Sequence, residues 1–375
     1  MRFTSCEIAG KNQKYDGNGR IHSLKRGSGE VVLSEEDLAL INVLQVAPRI
    51  SWSDAADVLG VHATTLAARW DRLRLSGAAW TTAHLIGDPK KMCLALVSVD
   101  CEMQLRAEVT AALAAIPEVV TVEEAASNRD LMLTVIAPTL DRFTDHVLPR
   151  FKEIRGLLKY RTSLGTRLHS AGHSWRLNTL DKAKQNALMD VASHEVTGSA
   201  APRPGAPLPP SHLDLIPFLA RDGRASAADI ARSLGRSPAT VQRQLNRVIS
   251  SGLLTFRCDI AQNLSGYPVS CQWFANVPPG QHEAAAAELR GLRTVRLSAS
   301  TTGGTNFVIL MWLNSLADVM NAELALQQRI PQIELVESVV ILSSAKRMGW
   351  MLNPDSTASG AVVVSGTGLP SLGLQ

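Results

Sequence analysis

Two short runs of the chain carry side chains suited to reading hydrogen-bonding patterns: Thr64, Thr65, Arg69 and Arg72, and then Ser237, Thr240, Gln242, Arg243 and Arg247. Arginine and glutamine can each present two hydrogen-bonding groups to a base edge in a DNA groove, and hydroxyls and further arginines can hold phosphates. Other constellations lead nowhere catalytic. His169 and His173 are four apart, but Gly172 lies between them, the context follows a strand, and no third ligand is near in sequence. A structural or surface role therefore outweighs a metal site. Glu123 and Glu124 are neighbours on a strand and point to opposite faces, so they are not an acid–base pair. No phosphate-binding glycine loop or nucleophile elbow is present. No catalytic residue, no metal and no cofactor is expected.

The elements that position these side chains come from a chain of 375 residues, 45% hydrophobic and 19% charged, with a net charge of +4. That length calls for several domains, and the apolar content excludes a chain disordered throughout. A mild basic excess permits nucleic-acid binding without arguing for it. The five cysteines contain no C-x-x-C pair, and the longest strongly apolar stretch, 307–313, is a third of a membrane span. A soluble, cytoplasmic protein without membrane contact is expected.

The chain is written twice. Shifted by 175 residues, 38–77 lies on 213–252 without a gap and with fourteen identities, among them Arg49/Arg224, Ser51/Ser226, Gly60/Gly235, Thr65/Thr240 and Arg72/Arg247. Trp175 falls on Trp350 in the same register. Each copy opens with a trihelical pattern. Leu38, Ile41 and Leu44 share a face, as do Leu213, Ile216 and Leu219, and Ser34-x-x-Asp37 and Ser211-x-x-Asp214 read as capping-box starts. A short helix follows Ser51 or Ser226, Gly60 or Gly235 makes the tight turn, and a third helix spans about 63–75 or 238–249. Helix, short helix, glycine turn, helix is the helix-turn-helix plan.

After each trihelical unit the period changes. Strands are expected at 93–99, 119–124, 131–136 and 158–166, with helices at 102–116 and 139–148; the second copy repeats this at 269–275, 294–299, 307–313 and 335–342, with helices at 281–289 and 315–328. That is βαββαβ twice. Leu316, Val319, Met320 and Leu324 are read as the core stripe of the last helix. The strand Phe307–Leu313 is apolar on both faces, so the face without helices needs a cover, and the sister sheet is the obvious one. Trp175 and Trp350 are expected to pack the closing segments against the sheets.

The stretches LSEEDLALINVL, ADVLGVHATTLAARWDRLRLSG and IARSLGRSPATVQRQLNRVISSGLL, each ahead of a hinge (80–92 and 255–266) and a βαββαβ module, resemble the Lrp/AsnC, or feast/famine, family. The resemblance covers roughly 33–175 and 211–350. It implies an α+β chain: two copies of a trihelical winged-type helix-turn-helix domain plus a ferredoxin-like βαββαβ module, paired as an intrachain pseudo-dimer. It further implies sequence-specific binding of double-stranded DNA, self-association through the βαββαβ modules, and an amino-acid or small-metabolite effector. The effector would sit near Asn128 and Asp130 in one copy and Gly303, Gly304 and Thr305 in the other. Residues 34–80 carry a net −2 and 211–257 a net +4, which makes the second copy the better reader. Two rival functions use the same scaffold: an enzyme of the tetrapyrrole-decarboxylase kind, drawing on Arg155, Arg161, Arg167 and His169, and an effector-sensing partner that binds no DNA.

The expected layout is a flexible basic arm (1–32), helix-turn-helix 1 (33–80), module 1 with its hinge (81–175), a linker (176–210), helix-turn-helix 2 (211–254), module 2 with its hinge (255–353) and a disordered tail (354–375).

Overall fold

A computed structural model describes residues 32–85, 92–197 and 208–364. The arm expected at 1–32, most of the Gly198–Pro210 linker and the end of the tail lie outside the described residues.

The first copy opens with α1 (Glu35–Val46), α2 (Trp52–Leu59) and α3 (Ala63–Leu75), then β1 (Ala79–Leu85). Ser34 and Asp37 form the capping box reciprocally: the Asp37 amide donates to Ser34 Oγ at 3.2 Å and the Ser34 amide to Asp37 Oδ2 at 3.0 Å. Ser51 caps α2, and Gly60 ends it at φ 71°, where a Cβ would be costly. The second copy repeats this with α8 (Pro210–Leu213), α9 (Ile216–Arg221), α10 (Ala227–Leu234), α11 (Pro238–Ser250) and β6 (Leu254–Ile260). One expectation fails there. Ser211-x-x-Asp214 makes no capping box, and the first helix is broken into α8 and α9. Pro217 has no amide hydrogen for an i−4 bond and its ring crowds the carbonyl one turn back, so a continuous helix through 213 is blocked.

Each module follows its hinge strand. Module 1 is β2 (Cys93–Cys101), α4 (Arg106–Ala114), β3 (Val119–Ala125), β4 (Leu131–Ala137), a helical stretch from α5 (Leu140–Arg142) to α6 (Leu148–Lys152), and β5 (Leu157–Ser170). After α7 (Lys182–Thr197) and the second helix-turn-helix, module 2 is β7 (Val269–Asn276), α12 (His282–Leu289), β8 (Val295–Thr301), β9 (Phe307–Leu313), α13 (Asp318–Arg329) and β10 (Glu334–Arg347), followed by β11 (Trp350–Leu352) and β12 (Ala358–Val362).

The two modules pack on each other, as the doubly apolar Phe307–Leu313 strand requires. Leu96, Ala125, Met132, Phe274, Val308, Val339 and Ile341 form a core between the sheets, while Phe307, Ile309 and Met311 face the helices of their own module. The 14-residue strands β5 and β10 do more than close their own sheets. β5 pairs with β2 up to Gly165 and then with β8; β10 pairs with β7 up to Ile341 and then with β3. The eight module strands thus form one closed ring, with no edge between the copies. The expected ends of these two strands were too early because their last turns belong to the partner sheet.

Three expectations are corrected. In α13 the buried face is Ala322 and Leu326, with Val319 half-buried, whereas Leu316, Met320 and Leu324 are 64%, 73% and 55% exposed. The helix starts at Asp318 rather than Ser315, and the 319/322/326 face is the one turned to the sheet. The expected linker 176–210 contains α7, which packs on α1 and α2 through Leu188, with Val191 and Ala192 beside it at i+3 and i+4. The expected disordered tail is ordered to Val364: β12 pairs with β11, and the Ala358 amide donates to Gly77 O at 2.9 Å. Trp175 and Trp350 lie between sheet and helical units. Trp175 meets Trp312 at 5.1 Å, Trp350 meets Trp80 at 5.7 Å, and Trp350 Nε1 donates to Ala220 O at 3.2 Å.

The helical units are joined above the ring. β1 and β6 pair antiparallel, with Thr82 opposite Arg257; α1 packs on β6 and α9 on β1, so each unit rests on the other copy's hinge. Arg49 donates to Gly223 O and to Ala225 O (3.4 Å), and its counterpart Arg224 donates to Pro48 O (2.8 Å) and Ile50 O (2.7 Å), a reciprocal clasp about the pseudo-twofold.

Candidate nucleic-acid interface

The third helix of each trihelical unit supplies the reading face. In α11, Ser237 caps the helix by accepting from the Thr240 amide at 3.2 Å, which holds both hydroxyls at the N-terminal end, and Pro238 pre-sets the first turn. Val241, Leu245 and Val248 are buried, so Gln242, Arg243, Asn246 and Arg247 stand on the solvent side. Gln242 Nε2 donates to Asn246 Oδ1 at 2.8 Å, which pre-aligns two amides along one face. Among the described residues neither the Arg243 nor the Arg247 guanidinium has a hydrogen bond or ion pair, so both are available to an anionic partner. Asn246 was missed from sequence, although its i+4 spacing from Gln242 carried the signal.

The first copy is different. Thr64 and Thr65 are exposed at the start of α3, but His62 provides no side-chain cap. Arg69 Nη1 donates to Ser34 Oγ and Asp37 Oδ1, each at 3.1 Å, and Arg72 Nη2 donates to the same Asp37 oxygen. Asp37 is buried, so these arginines neutralise an internal charge at the start of α1. Arg69, 21% exposed, is held inward as an internal tie; Arg72, 64% exposed, still reaches solvent.

The net charge of the second unit also shrinks in three dimensions. Arg224 serves the clasp, Arg257 is buried, Arg236 pairs with Asp214 and Arg232 with Asp229 at 3.0 Å. The advantage of this copy lies in Arg243 and Arg247 rather than in its total.

The two expected effector turns both reach the partner module. At 127–130, Ser127 takes φ 94°; Arg129 crosses to Glu337 and lies over the Phe274 ring at 4.7 Å, so this turn is tethered to β10 and β7. Asn128 accepts from Arg129 at 3.2 Å. Asp130 is committed to its own module, accepting from the Cys101 amide at 2.8 Å and from Arg106 at 2.7 Å. At 302–305, Gly303 and Gly304 are exposed, Thr305 is half-buried, and the Thr302 amide donates to Leu164 O at 2.8 Å. A Cβ on Gly303 would meet Ser163 Oγ at 3.3 Å, whereas Gly304 faces open space.

Of the residues of the rival enzymatic reading, Arg167 and His169 meet at Glu283, His169 Nδ1 lying 3.6 Å from it, while Arg161 and Arg155 are engaged elsewhere. Arg161 pairs with Asp100 at 3.0 Å, Arg167 with Glu283 at 2.7 Å, and His169 Nε2 meets Ser300 Oγ at 2.8 Å; Arg155 lines an open groove beside α4 and α6. Burial pulls His169 and His173 below the usual imidazole range, His173 being further lowered by Arg257.

Comparison with known proteins follows the same division of the chain. Residues 33–74 match the AsnC-type helix-turn-helix domain, and residues 210–255 match a winged helix-turn-helix DNA-binding model. A stretch of 149 residues is 28% identical to the uncharacterized HTH-type transcriptional regulator PH0140 of Pyrococcus horikoshii, covering 39% of this chain and 94% of that one. Over these stretches the chain is similar to Lrp/AsnC-type regulators. Regulatory protein AsnC of Escherichia coli is 24% identical over 134 residues, or 35% of this chain and 87% of that one. Each of these matches spans little more than a third of this chain, whereas both copies together make the closed ring described above. Among solved structures, the siroheme decarboxylase NirDL covers 83% of this chain and 93% of its own at 15% identity and a TM-score of 0.49. No helix among the described residues is long and apolar enough to cross a membrane.

Proposed function

We propose that this chain is a sequence-specific DNA-binding transcriptional regulator in which the second copy is the dominant reader. The observation that carries the reading is α11: a capped helix presenting Gln242, Arg243, Asn246 and Arg247 outward, its two arginines free of ion pairs among the described residues. Arg243 and Gln242 supply base-edge contacts, Ser237, Thr240 and Arg247 hold phosphates, and Thr64, Thr65 and Arg72 give the first copy a weaker, less specific footing. Genome-wide mapping of bound DNA followed by footprinting on the recovered sites tests this. Discrete sites with two unlike halves support it; absence of any preferred site would leave the effector-sensing partner instead.

A small effector, an amino acid or related metabolite, fits the module interfaces at the 127–130 and 302–305 turns, because each turn touches the partner module. Of the two, the turn with exposed Gly303 and Gly304 is the more accessible. Such a ligand would couple to DNA affinity by about 1–3 kcal/mol; a melting-temperature screen against amino acids, repeated with DNA, measures it. Self-association through the modules is supported by exposed Met320 and Leu324 on α13 with exposed Leu316 just ahead of it, and light scattering of Met320→Glu against the natural chain tests that. No catalytic role is assigned: Arg167 and His169 share Glu283, but Arg161 pairs with Asp100 and Arg155 lines a different groove.

A further inference from the structure

Beneath the helical units, at the end of the ring formed by the second module, three guanidiniums are buried together. Arg257 on β6, Arg296 on β8 and Arg347 at the end of β10 are each more than nine-tenths buried. Their acidic partners are few. Asp259 accepts from Arg257 Nη2 at 2.5 Å and lies 3.6 Å from Arg296 Nη2. Glu123, from the other module, is reached through Ser344 Oγ at 3.3 Å. Burial raises the Glu123 carboxyl against the pull of Arg347, while Asp259 is held low by Arg257, Arg296 and Arg347 despite its burial. The neighbouring histidines, His84 and His173, are pushed toward their neutral forms, and Arg176 adds a further cation. Positive charge therefore exceeds what the protein neutralises.

The remaining interactions are those of a site with a missing partner. Arg296 lies over the Trp312 ring at 3.8 Å and the Trp175 ring at 4.8 Å. Arg347 Nη2 donates to Gln262 Oε1 at 3.1 Å and to Ser344 Oγ at 3.3 Å, but its Nη1 is buried and has no hydrogen-bond partner among the described residues. Leaving a charged donor unsatisfied costs more than the bond itself returns, so such an atom marks a place for an acceptor. Arg347 lines a cavity of about 50 Å³ with Gln262, Ser343, Ser344 and Ser356, opening to solvent past the exposed Asn263 and Asn353. At roughly 10–15 Å³ per water, that space takes four or so water-sized groups, the bulk of a carboxylate or phosphate. Ser356 Oγ already accepts from the Asn263 amide at 3.0 Å, which leaves its own hydrogen free to point inward.

The cluster belongs to one copy only. By strand register, the positions equivalent to Arg257, Asp259, Arg296 and Arg347 are Thr82, His84, Val120 and Ala171. Gly172 is also fitted to the cluster, since a Cβ there would lie 3.2 Å from Arg257 Nη2 and 3.4 Å from Arg296 Nη2.

We propose that this cavity binds the oxyanion group of a small molecule, a carboxylate or a phosphate, gripped by Arg347 with the hydroxyl of Ser356 and backed by the charge of Arg296 and Arg257, the Ser344 hydroxyl being already given to Glu123. The site is separate from the 127–130 and 302–305 turns, and it abuts β6, the strand that leads directly from the second reading helix.

The full chain is titrated with inorganic phosphate, acetate and succinate at constant ionic strength, balanced with potassium chloride. Tryptophan fluorescence and melting temperature are both read, since Trp312 stacks under Arg296 and Arg347. A saturable signal from phosphate alone assigns the site to phosphorylated ligands, and one from acetate or succinate to carboxylates. Arg347→Gln is expected to weaken that binding at least about tenfold. Asn263→Glu, which places a like charge at the exposed mouth without touching the cluster, is expected to weaken it as well, so the test survives if Arg347→Gln fails to fold. No saturable response to any of the three anions, or binding unchanged in both variants, overturns the proposal. No DNA enters this measurement, so its failure would leave the regulator reading standing.

Discussion

The two reading helices share a scaffold and an arginine at the same place, Arg72 in one copy and Arg247 in the other, yet among the described residues only the second is free of an ion pair. The difference is made elsewhere. Position 37 is aspartate, buried at the start of α1, and it draws both Arg69 and Arg72 inward. The equivalent position, 212, is histidine, whose imidazole is lowered by its partial burial and then by Arg247 and Arg236. One acid at a helix start thus makes one candidate DNA contact, Arg69, an internal tie and partly occupies a second, Arg72. Net charge over a segment says little about an interface until the acids that consume it are located.

The comparison can be broken most severely at the shared ring. Ile309→Asp buries a carboxylate among the helix-facing side chains of module 2, and is expected to cost about 4 kcal/mol or more. Because the ring includes strands from both copies, calorimetry should show one destabilised transition that removes both helical units together; two independent transitions would show that the copies fold separately.

The hinge strands differ next. His84 on β1 is buried beside Arg257, and burial followed by that charge drives its imidazole down to about 3. The unfolded chain takes up a proton near pH 6.5 that the folded chain refuses. Stability contributed by neutral His84 is therefore complete above about 6.5 and falls between 6.5 and 3, on the order of 1 kcal/mol per pH unit. Denaturant melts from pH 7 to 4.5 should show this slope, and His84→Gln should flatten it; an unchanged slope would assign the acid sensitivity to other groups.

At DNA the expected effects are smaller. Arg243→Ala should weaken specific binding by about 1–3 kcal/mol, while Arg69→Ala should change it by less than about 0.5 kcal/mol and instead lower the melting temperature. Quantitative footprints of both variants decide it, equal losses contradicting the asymmetry. His212→Asp is the finest probe. It rebuilds the acid of the first copy in the second and should draw Arg247 inward, weakening DNA binding by about 1 kcal/mol and lowering the salt slope by about one counterion.

Much of this arrangement was legible in the residues. Ser51, Gly60, Ser226 and Gly235 placed the short helices and turns through their capping chemistry, and the alternation in Phe307–Leu313 required a second sheet. What escaped was set by partners distant in the chain. Asp37 lies 32 residues from Arg69, and no local pattern ties them. The tails of β5 and β10 pair with strands of the other copy, so their ends are not marked by their own sequence. In α7 a single face of Leu188, Val191 and Ala192 was too narrow to stand out among charged neighbours. The recurrence of Arg49 and Arg224 was visible, but the repeat alone could not distinguish a clasp from a DNA contact.

That clasp fixes a rotational phase. Each arginine grips backbone carbonyls of the opposite copy on both sides of a turn, so the two reading helices cannot swing apart independently. A protein with freely hinged heads tolerates varied gaps between its half-sites, because either head can follow the groove around the duplex. Heads locked carbonyl to guanidinium tolerate only gaps that return the second half-site to the same side of the helix. Inserting about five base pairs, half a turn, should therefore abolish simultaneous engagement, and about ten should restore the facing without restoring the distance.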